Sequence, residues 1–243
     1  MPRLDPMWIR RAHRNQTLPW IQTWAWMRKW SERFPEMILW YATAGLAVMQ
    51  GAADNILELA RSGRPLPPQR RVVWREAQRL AAEVCLTNCT NPVDWFTGGC
   101  GDPESAWKRL DDIPGIGPKI ASFLMRDLAF LRDYSTGGGR PTITYREWRR
   151  DSRWFDALPI EKQLLYVPID NRVHMGACRY GASSLFTRHD VRAIQGDPGL
   201  YLEAAEAIVR WSRKRKLDPR DVDVYWYATE RGFLNRDGTL AEA

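Results

Sequence analysis

Asp111-Asp112-Ile113-Pro114-Gly115-Ile116-Gly117-Pro118-Lys119-Ile120-Ala121 reads as the end of one helix, a tight glycine turn and the start of a second helix. Gly115 and Gly117 can take the positive φ values that close a short turn, and neither carries a Cβ to hold off an approaching ligand. Pro118 suits the first position of a helix, where its missing N–H would have had no partner. From Lys119 onward, Ile120, Phe123, Leu124, Leu128 and Leu131 recur at helical spacing, so one face of the second helix is buried. Upstream, Asp102-Pro103 starts the first helix, with Ala106, Trp107 and Leu110 inward. The turn gathers backbone N–H groups at a helix N-terminus, an arrangement suited to a phosphate. Without a ligand, the same residues make an ordinary helix end and turn.

Lys119 is badly placed for stability, because a cation in the first turn faces the positive end of the helix dipole. That field, with partial burial, favours the neutral amine that a nucleophilic lysine requires. The plainer alternative is a solvated lysine resting on a phosphate. Downstream lies Tyr166-Val167-Pro168-Ile169-Asp170-Asn171-Arg172-Val173-His174. Pro168 keeps Val167 extended, and Asp170 sits where a new helix begins. An aspartate there can be a simple N-cap, worth about 1 kcal/mol.

Together, and in this order, the Pro-Gly-Ile-Gly-Pro-Lys hairpin and the Val-Pro-Ile-Asp loop resemble the helix-hairpin-helix (HhH-GPD) superfamily of DNA glycosylases. The closest motifs are those of the lysine-containing bifunctional members, the 8-oxoguanine DNA glycosylases (including the compact archaeal type) and endonuclease III. The resemblance implies a two-lobed all-α fold and a base-excision enzyme that flips a modified base out of duplex DNA. It implies Lys119 as the Schiff-base nucleophile of an abasic-site lyase step and Asp170 as the catalytic carboxylate. It further implies that Gly115, Ile116, Gly117 and Lys119 hold a DNA phosphate, in relatives with a monovalent cation on the hairpin carbonyls. An oxidised purine such as 8-oxoguanine is the first substrate implied. Another modified base, including hypermodified bases of phage DNA, is the second. A non-catalytic DNA-binding hairpin protein is the reading from a different class, and it leaves the Val-Pro-Ile-Asp loop as coincidence.

The chain departs from that pattern after Arg132, where a long segment separates hairpin from aspartate loop. Tyr134-Ser135-Thr136-Gly137-Gly138-Gly139-Arg140-Pro141 reads as a flexible loop. Arg146, Arg149, Arg150 and Arg153 follow, interleaved with Tyr145, Trp148, Trp154 and Phe155. Arginine on phosphate and aromatics in gaps make this a candidate DNA-contacting insertion, and Arg172 a further contact. A solvated excursion anchored by its aromatics is the equal alternative. The insertion also leaves Asp156 as a second candidate for the acid.

Residues 1–243 thus read as a single domain, with the helix-hairpin-helix over 103–132, the insertion over 133–160, and the aspartate loop with its helix over 166–182. Residues 1–19 read as an extended lead-in. Tryptophans from Trp20 to Trp30 suggest an aromatic-packed helix that Pro35 breaks, followed by an apolar helix over 36–52. Helices are expected over 70–85, 199–216 and from Pro219, and no long β-alternation appears. With 36 Lys plus Arg against 29 Asp plus Glu the formal charge is +7, which favours a polyanionic partner. Double-stranded DNA is the expected partner, bound by a monomer. No apolar stretch suits a signal peptide or membrane span, so a cytoplasmic, nucleoid-associated protein is expected. Cys85, Cys89, Cys100 and Cys178 lack the four-cysteine run of iron–sulfur relatives and read as buried free thiols. His13, His174 and His189 are scattered, so no metal site is expected.

Overall fold

The computed structural model describes residues 4–17, 34–44, 50–86, 92–136, 150 and 153–242. Its α-helices are α1 (Pro6–Ala12), α2 (Phe34–Ala44), α3 (Gln50–Arg61), α4 (Pro68–Leu86), α5 (Pro92–Phe96), α6 (Pro103–Asp111) and α7 (Pro118–Thr136). They continue as α8 (Arg153–Asp156), α9 (Ile160–Gln163), α10 (Asn171–Tyr180), α11 (Leu185–Arg188), α12 (Val191–Gly196), α13 (Pro198–Lys214) and α14 (Pro219–Glu230). A π-helical turn extends α1 over His13–Thr17, and a 3-10 turn, Leu164–Tyr166, follows α9. Among the described residues the only β pairing is the isolated antiparallel bridge between Leu234 and Leu240. The fold is all-α.

Asp-Pro dipeptides start four of these helices. Asp5, Asp102, Asp197 and Asp218 each turn a side-chain oxygen onto a first-turn amide, while the proline that follows has no N–H to satisfy. Carboxylates at these positions also meet the positive end of the helix dipole.

The chain divides into two compact units, residues 26–132 and residues 1–25 with 133–243. In the first, α2 packs on α3 and α4, burying Ile38, Leu39, Ala42, Val73 and Ala77. The buried Tyr41 hydroxyl donates to Asp127 on α7 at 2.5 Å, and Arg126 donates to the other carboxylate oxygen at 2.9 Å. Burial first, and then the Asp127 charge, push the Tyr41 hydroxyl far above its ordinary range. Trp107 of α6 donates its indole N–H to Ser122 of α7 at 3.0 Å, with both side chains buried. This bond ties the two arms of the hairpin together. The helical run of Arg132 is fixed to Thr97 O at 2.7 Å.

The second unit is built around α14, whose Arg220, Asp221, Val222, Asp223, Tyr225 and Trp226 are all buried. Helices α1, α10 and α13 pack on it. Gly176 of α10 lies so close to Trp226 that a Cβ would fall 2.4 Å from the indole, so only glycine permits this approach. Arg220 is completely buried. Its guanidinium pairs with Asp218 at 2.9 Å and Asp133 at 3.0 Å and lies 3.9 Å from the centre of the Phe155 ring. Trp154 donates to the second oxygen of Asp133.

Three expectations need correction. Residues 6–17 are helical and not an extended lead-in: Asp5 caps, Ile9 and Ala12 are buried, and the buried His13 meets Asp221 at 2.9 Å. Helix α7 runs on through Tyr134, Ser135 and Thr136, so the loop expected from Tyr134 starts no earlier than residue 137. Cys100 is exposed among glycines and disulfide-bonded, while Cys178 keeps a thiol that burial shifts up. The expected aromatic helix around Trp20 to Trp30 lies outside the described residues. No helix among the described residues is long and apolar enough to cross a membrane.

Burial pushes the Asp133 carboxyl up to about 6, against the opposing pull of Arg220 and Trp154. A raised carboxyl favours the fold at low pH and loses that contribution as pH rises through the folded value. Replacing Arg220 with Leu leaves Asp133 and Asp218 as buried, uncompensated charges and should cost about 3–5 kcal/mol in urea unfolding at pH 8. The deficit should shrink at pH 5, where Asp133 is protonated.

Candidate functional site

The hairpin is fixed from both sides. Asp112 N–H donates to Lys108 O at 2.9 Å and Ile113 N–H to Leu110 O at 3.1 Å, closing α6. Ile116 N–H then donates back to Ile113 O at 2.8 Å, and the buried side chains of Ile113 and Ile116 seat the turn on the core. Gly117 opens α7: its carbonyl accepts from Ile120 and Ala121 at 2.9 and 3.0 Å. Gly115 alone of the two glycines has a positive φ, at 92°; Gly117 is not in the left-handed region. Gly117 is instead open on its side-chain side, with nothing within 4 Å of a Cβ placed there. The amides of Gly115 and Gly117 donate to no acceptor among the described residues. Two backbone donors therefore stand at the start of α7, where the dipole adds positive potential. Lys119 follows in the first turn of α7 and is half-buried.

Asp170 begins α10 with extended backbone, φ −102° and ψ −178°. Its Oδ1 accepts from both Arg172 N–H and Val173 N–H at 2.8 Å, and its half-buried Oδ2 accepts from no donor among the described residues. The loop before it is deeply buried: Tyr166, Val167 and Ile169 have no exposed surface. Its backbone is held by side chains from later helices. Ile169 N–H donates to the Tyr201 hydroxyl at 3.0 Å, that hydroxyl donates to Val167 O at 3.3 Å, and Gln195 donates to Ile169 O at 2.7 Å. Sequence inspection missed Tyr201 and Gln195. Tyr201 lies on a helix read only for its apolar face and Gln195 on a short helix not read at all, and nothing local marks a hydroxyl that reaches back over thirty residues.

Of the arginines singled out, Arg172 is half-buried on α10, its guanidinium 3.9 Å from the Met175 sulfur, and Arg150 is exposed. Arg146 and Arg149 lie outside the described residues. From the far end of the insertion, Trp154 and Phe155 pack with Tyr166 into the second unit, as anchoring aromatics do. Asp156, the alternative acid, is ion-paired with Arg213 at 2.7 Å. Among the described residues there is no group of three or more His, Cys, Asp or Glu side chains placed to hold a metal ion. Lys119 belongs to the first unit and Asp170 to the second.

No family model, curated protein or solved structure matches the chain.

Two tests follow from the hairpin. Gly117→Ala meets open space and needs no unusual φ, so its melting temperature should stay within about 2 °C of wild type, because surface changes of this kind are near neutral. Its affinity for duplex DNA should nonetheless fall at least tenfold by fluorescence anisotropy if a phosphate seats there. Asp111, at the end of α6, has its carboxyl pushed up to about 6 by burial and then by Asp112. Its ionised form is the unfavourable one, so the burden builds as pH rises from the ordinary value of 3.8 and is complete above about 6. Asp111→Asn should therefore raise the melting temperature most at pH 8, by about half as much at pH 5, and leave it nearly unchanged below the ordinary value of 3.8.

Proposed function

We propose that this chain is a DNA glycosylase of the helix-hairpin-helix type with an associated abasic-site lyase step. One observation carries the reading: a hairpin with two unengaged amides places a lysine in the very next turn, and the same chain holds a loop aspartate with one oxygen committed to its helix and one available. A bare phosphate-binding hairpin requires the first of these and not the second.

The hairpin amides position the duplex by its backbone and carry no sequence information. The target nucleotide leaves the stack, because the bond between base and sugar is inaccessible inside a duplex. As the C1′–N bond breaks, positive charge grows on the sugar, and the Asp170 carboxylate stabilises it electrostatically. Lys119 must lose a proton before its amine can act as a nucleophile. The Lys119 amine bonds to C1′, the sugar ring opens, and a Schiff base results. Loss of a C2′ proton then expels the 3′ phosphate and cuts the strand. An oxidised purine is the favoured substrate, and another modified base is the alternative. Monomeric action on cytoplasmic double-stranded DNA completes the reading; a disulfide at Cys100 is uncommon in that compartment.

Borohydride reduces a Schiff base to a stable amine, so trapping tests the lysine directly. Duplexes carrying 8-oxoguanine, uracil, a modified cytosine, an abasic site or no lesion should give a covalent adduct with one modified base and with the abasic site. Lys119→Gln should abolish the adduct, and Asp170→Asn should slow its formation by about 100-fold or more, a typical loss for one electrostatic group. An adduct that survives Lys119→Gln overturns the lysine assignment. Tight duplex binding without adducts or alkali-labile sites on any substrate supports the binding module instead.

A further inference from the structure

The Val167–Asp170 loop is secured in an unusual way. Pro168 removes one backbone donor, and the buried Val167 and Ile169 leave the remaining polar groups out of reach of water. Three of those groups are satisfied by only two side chains. The Tyr201 hydroxyl accepts from Ile169 N–H at 3.0 Å while donating to Val167 O at 3.3 Å, so it bridges the chain on both sides of the proline. Gln195 caps Ile169 O at 2.7 Å. Tyr201 is itself immobile: it is buried in the first turns of α13, and its amide donates to Asp197 O at 2.8 Å. Packing alone would accept Phe at 201, which fills the same space, and an apolar or small residue at 195. The hydroxyl and carboxamide do something packing does not require, which is to fix the peptide planes immediately before Asp170.

We infer that Tyr201 and Gln195 are positioning residues for the reaction: they set the direction of the Asp170 carboxylate by clamping the two peptides that precede it. The inference rests on the glycosylase reading for its chemistry, but the clamp has a readout of its own. Asp170 Oδ1 is held by the Arg172 and Val173 amides, so the carboxylate can turn only if the loop entering the helix turns. Releasing the peptide plane at Ile169 swings the spare oxygen away from its working position. Misplacing a reacting group by about 1 Å costs rates on the order of 100-fold.

The test uses the full chain with Tyr201→Phe and Gln195→Ala, and a duplex containing a preformed abasic site as probe. Single-turnover borohydride trapping gives a rate constant at saturating protein and a half-saturating concentration. Amide hydrogen exchange at Ile169, Arg172 and Val173 is measured on the same proteins without DNA. A positioning role predicts a rate constant lowered by about 10- to 100-fold with the half-saturating concentration changed less than about twofold. It also predicts faster exchange at those three amides than at the remaining amides of α10. A purely structural role lowers the trapped fraction and leaves the rate constant of the folded molecules intact. Unchanged rate constants and unchanged exchange in both variants overturn the inference. Should the wild type trap nothing, the glycosylase reading fails on its own, and the exchange arm still decides whether the clamp orients Asp170. Should Tyr201→Phe not fold, Gln195→Ala carries both measurements, since its side chain is only partly buried.

Discussion

A molecule made of helices must dispose of the unpaired amides at every helix start, and that obligation organises this one. At four helices the solution is a carboxylate followed by proline, which supplies one acceptor and removes one donor in the same dipeptide. At α10 the solution is again an aspartate, but its neighbours are different. Asp170 is preceded by a loop whose Tyr166, Val167 and Ile169 are fully buried, and like Asp197 it spends a single oxygen on two amides. At α7 the chain offers no side chain at all, because the residue before Pro118 is glycine. Other starts also depart from that pattern, since Pro159 and Ser184 leave α9 and α11 without a side-chain cap and Asp190 caps α12 with no proline after it; the chemistry is proposed at the starts of α7 and α10. An acceptor missing from the protein is an acceptor that a phosphate can supply, and a carboxylate oxygen missing a donor is one that can face a developing cation.

A second constraint comes from charge that cannot reach water. Arg220 has two carboxylates and an aromatic face around it and no exposed surface. Such a cluster contributes little net stability, since the ions lose hydration about equal to their mutual attraction. What it does provide is a requirement that Asp133, Phe155, Trp154 and the start of α14 meet in one arrangement, because any other leaves a buried ion unpaired. The contact between Gly176 and Trp226 acts in the same sense by setting how closely α10 approaches α14. The helix that carries Asp170 is therefore seated on a base that tolerates few alternatives.

Much of this was legible in the residues. Asp-Pro marks helix starts by a local mechanism, and the apolar periodicity of 118–131 and 199–211 reports which face is buried. The Gly-Ile-Gly turn and the aspartate loop are likewise local. Helix α1 was missed because only Ile9 and Ala12 face inward among arginines, a pattern too sparse to separate from a solvated arm. Its stability comes from His13 reaching Asp221 and Asn15 reaching Gly238 O, partners more than two hundred residues away. Shorter separations, 87 residues between Arg220 and Asp133 and 32 between Tyr201 and Ile169, hid those partners equally well. A basic residue in a sequence carries no sign of whether its counter-ion is solvent or a buried aspartate. Cys100 was misread because nothing in the residues around it separates a free thiol from a disulfide-bonded one.

Capping and catalysis are often set against each other as explanations of an aspartate at a helix start, and Asp170 indicates why they need not compete. A cap uses one oxygen and requires the ionised form; a group that stabilises a cation also requires the ionised form and uses the other oxygen. The helix amides hold one oxygen of Asp170, and on the proposed reading the hydrogen bonds of Tyr201 and Gln195 to the preceding loop fix where the other oxygen points. The cost of orienting the group is met during folding and not during reaction, which is the condition under which a fixed charge accelerates bond breaking. Asp156 shows the contrast: its carboxylate is turned to Arg213, a cation already in place. A carboxylate neutralised by a resident arginine has less to offer a transient cation, and on that ground Asp170 and not Asp156 is proposed as the acid.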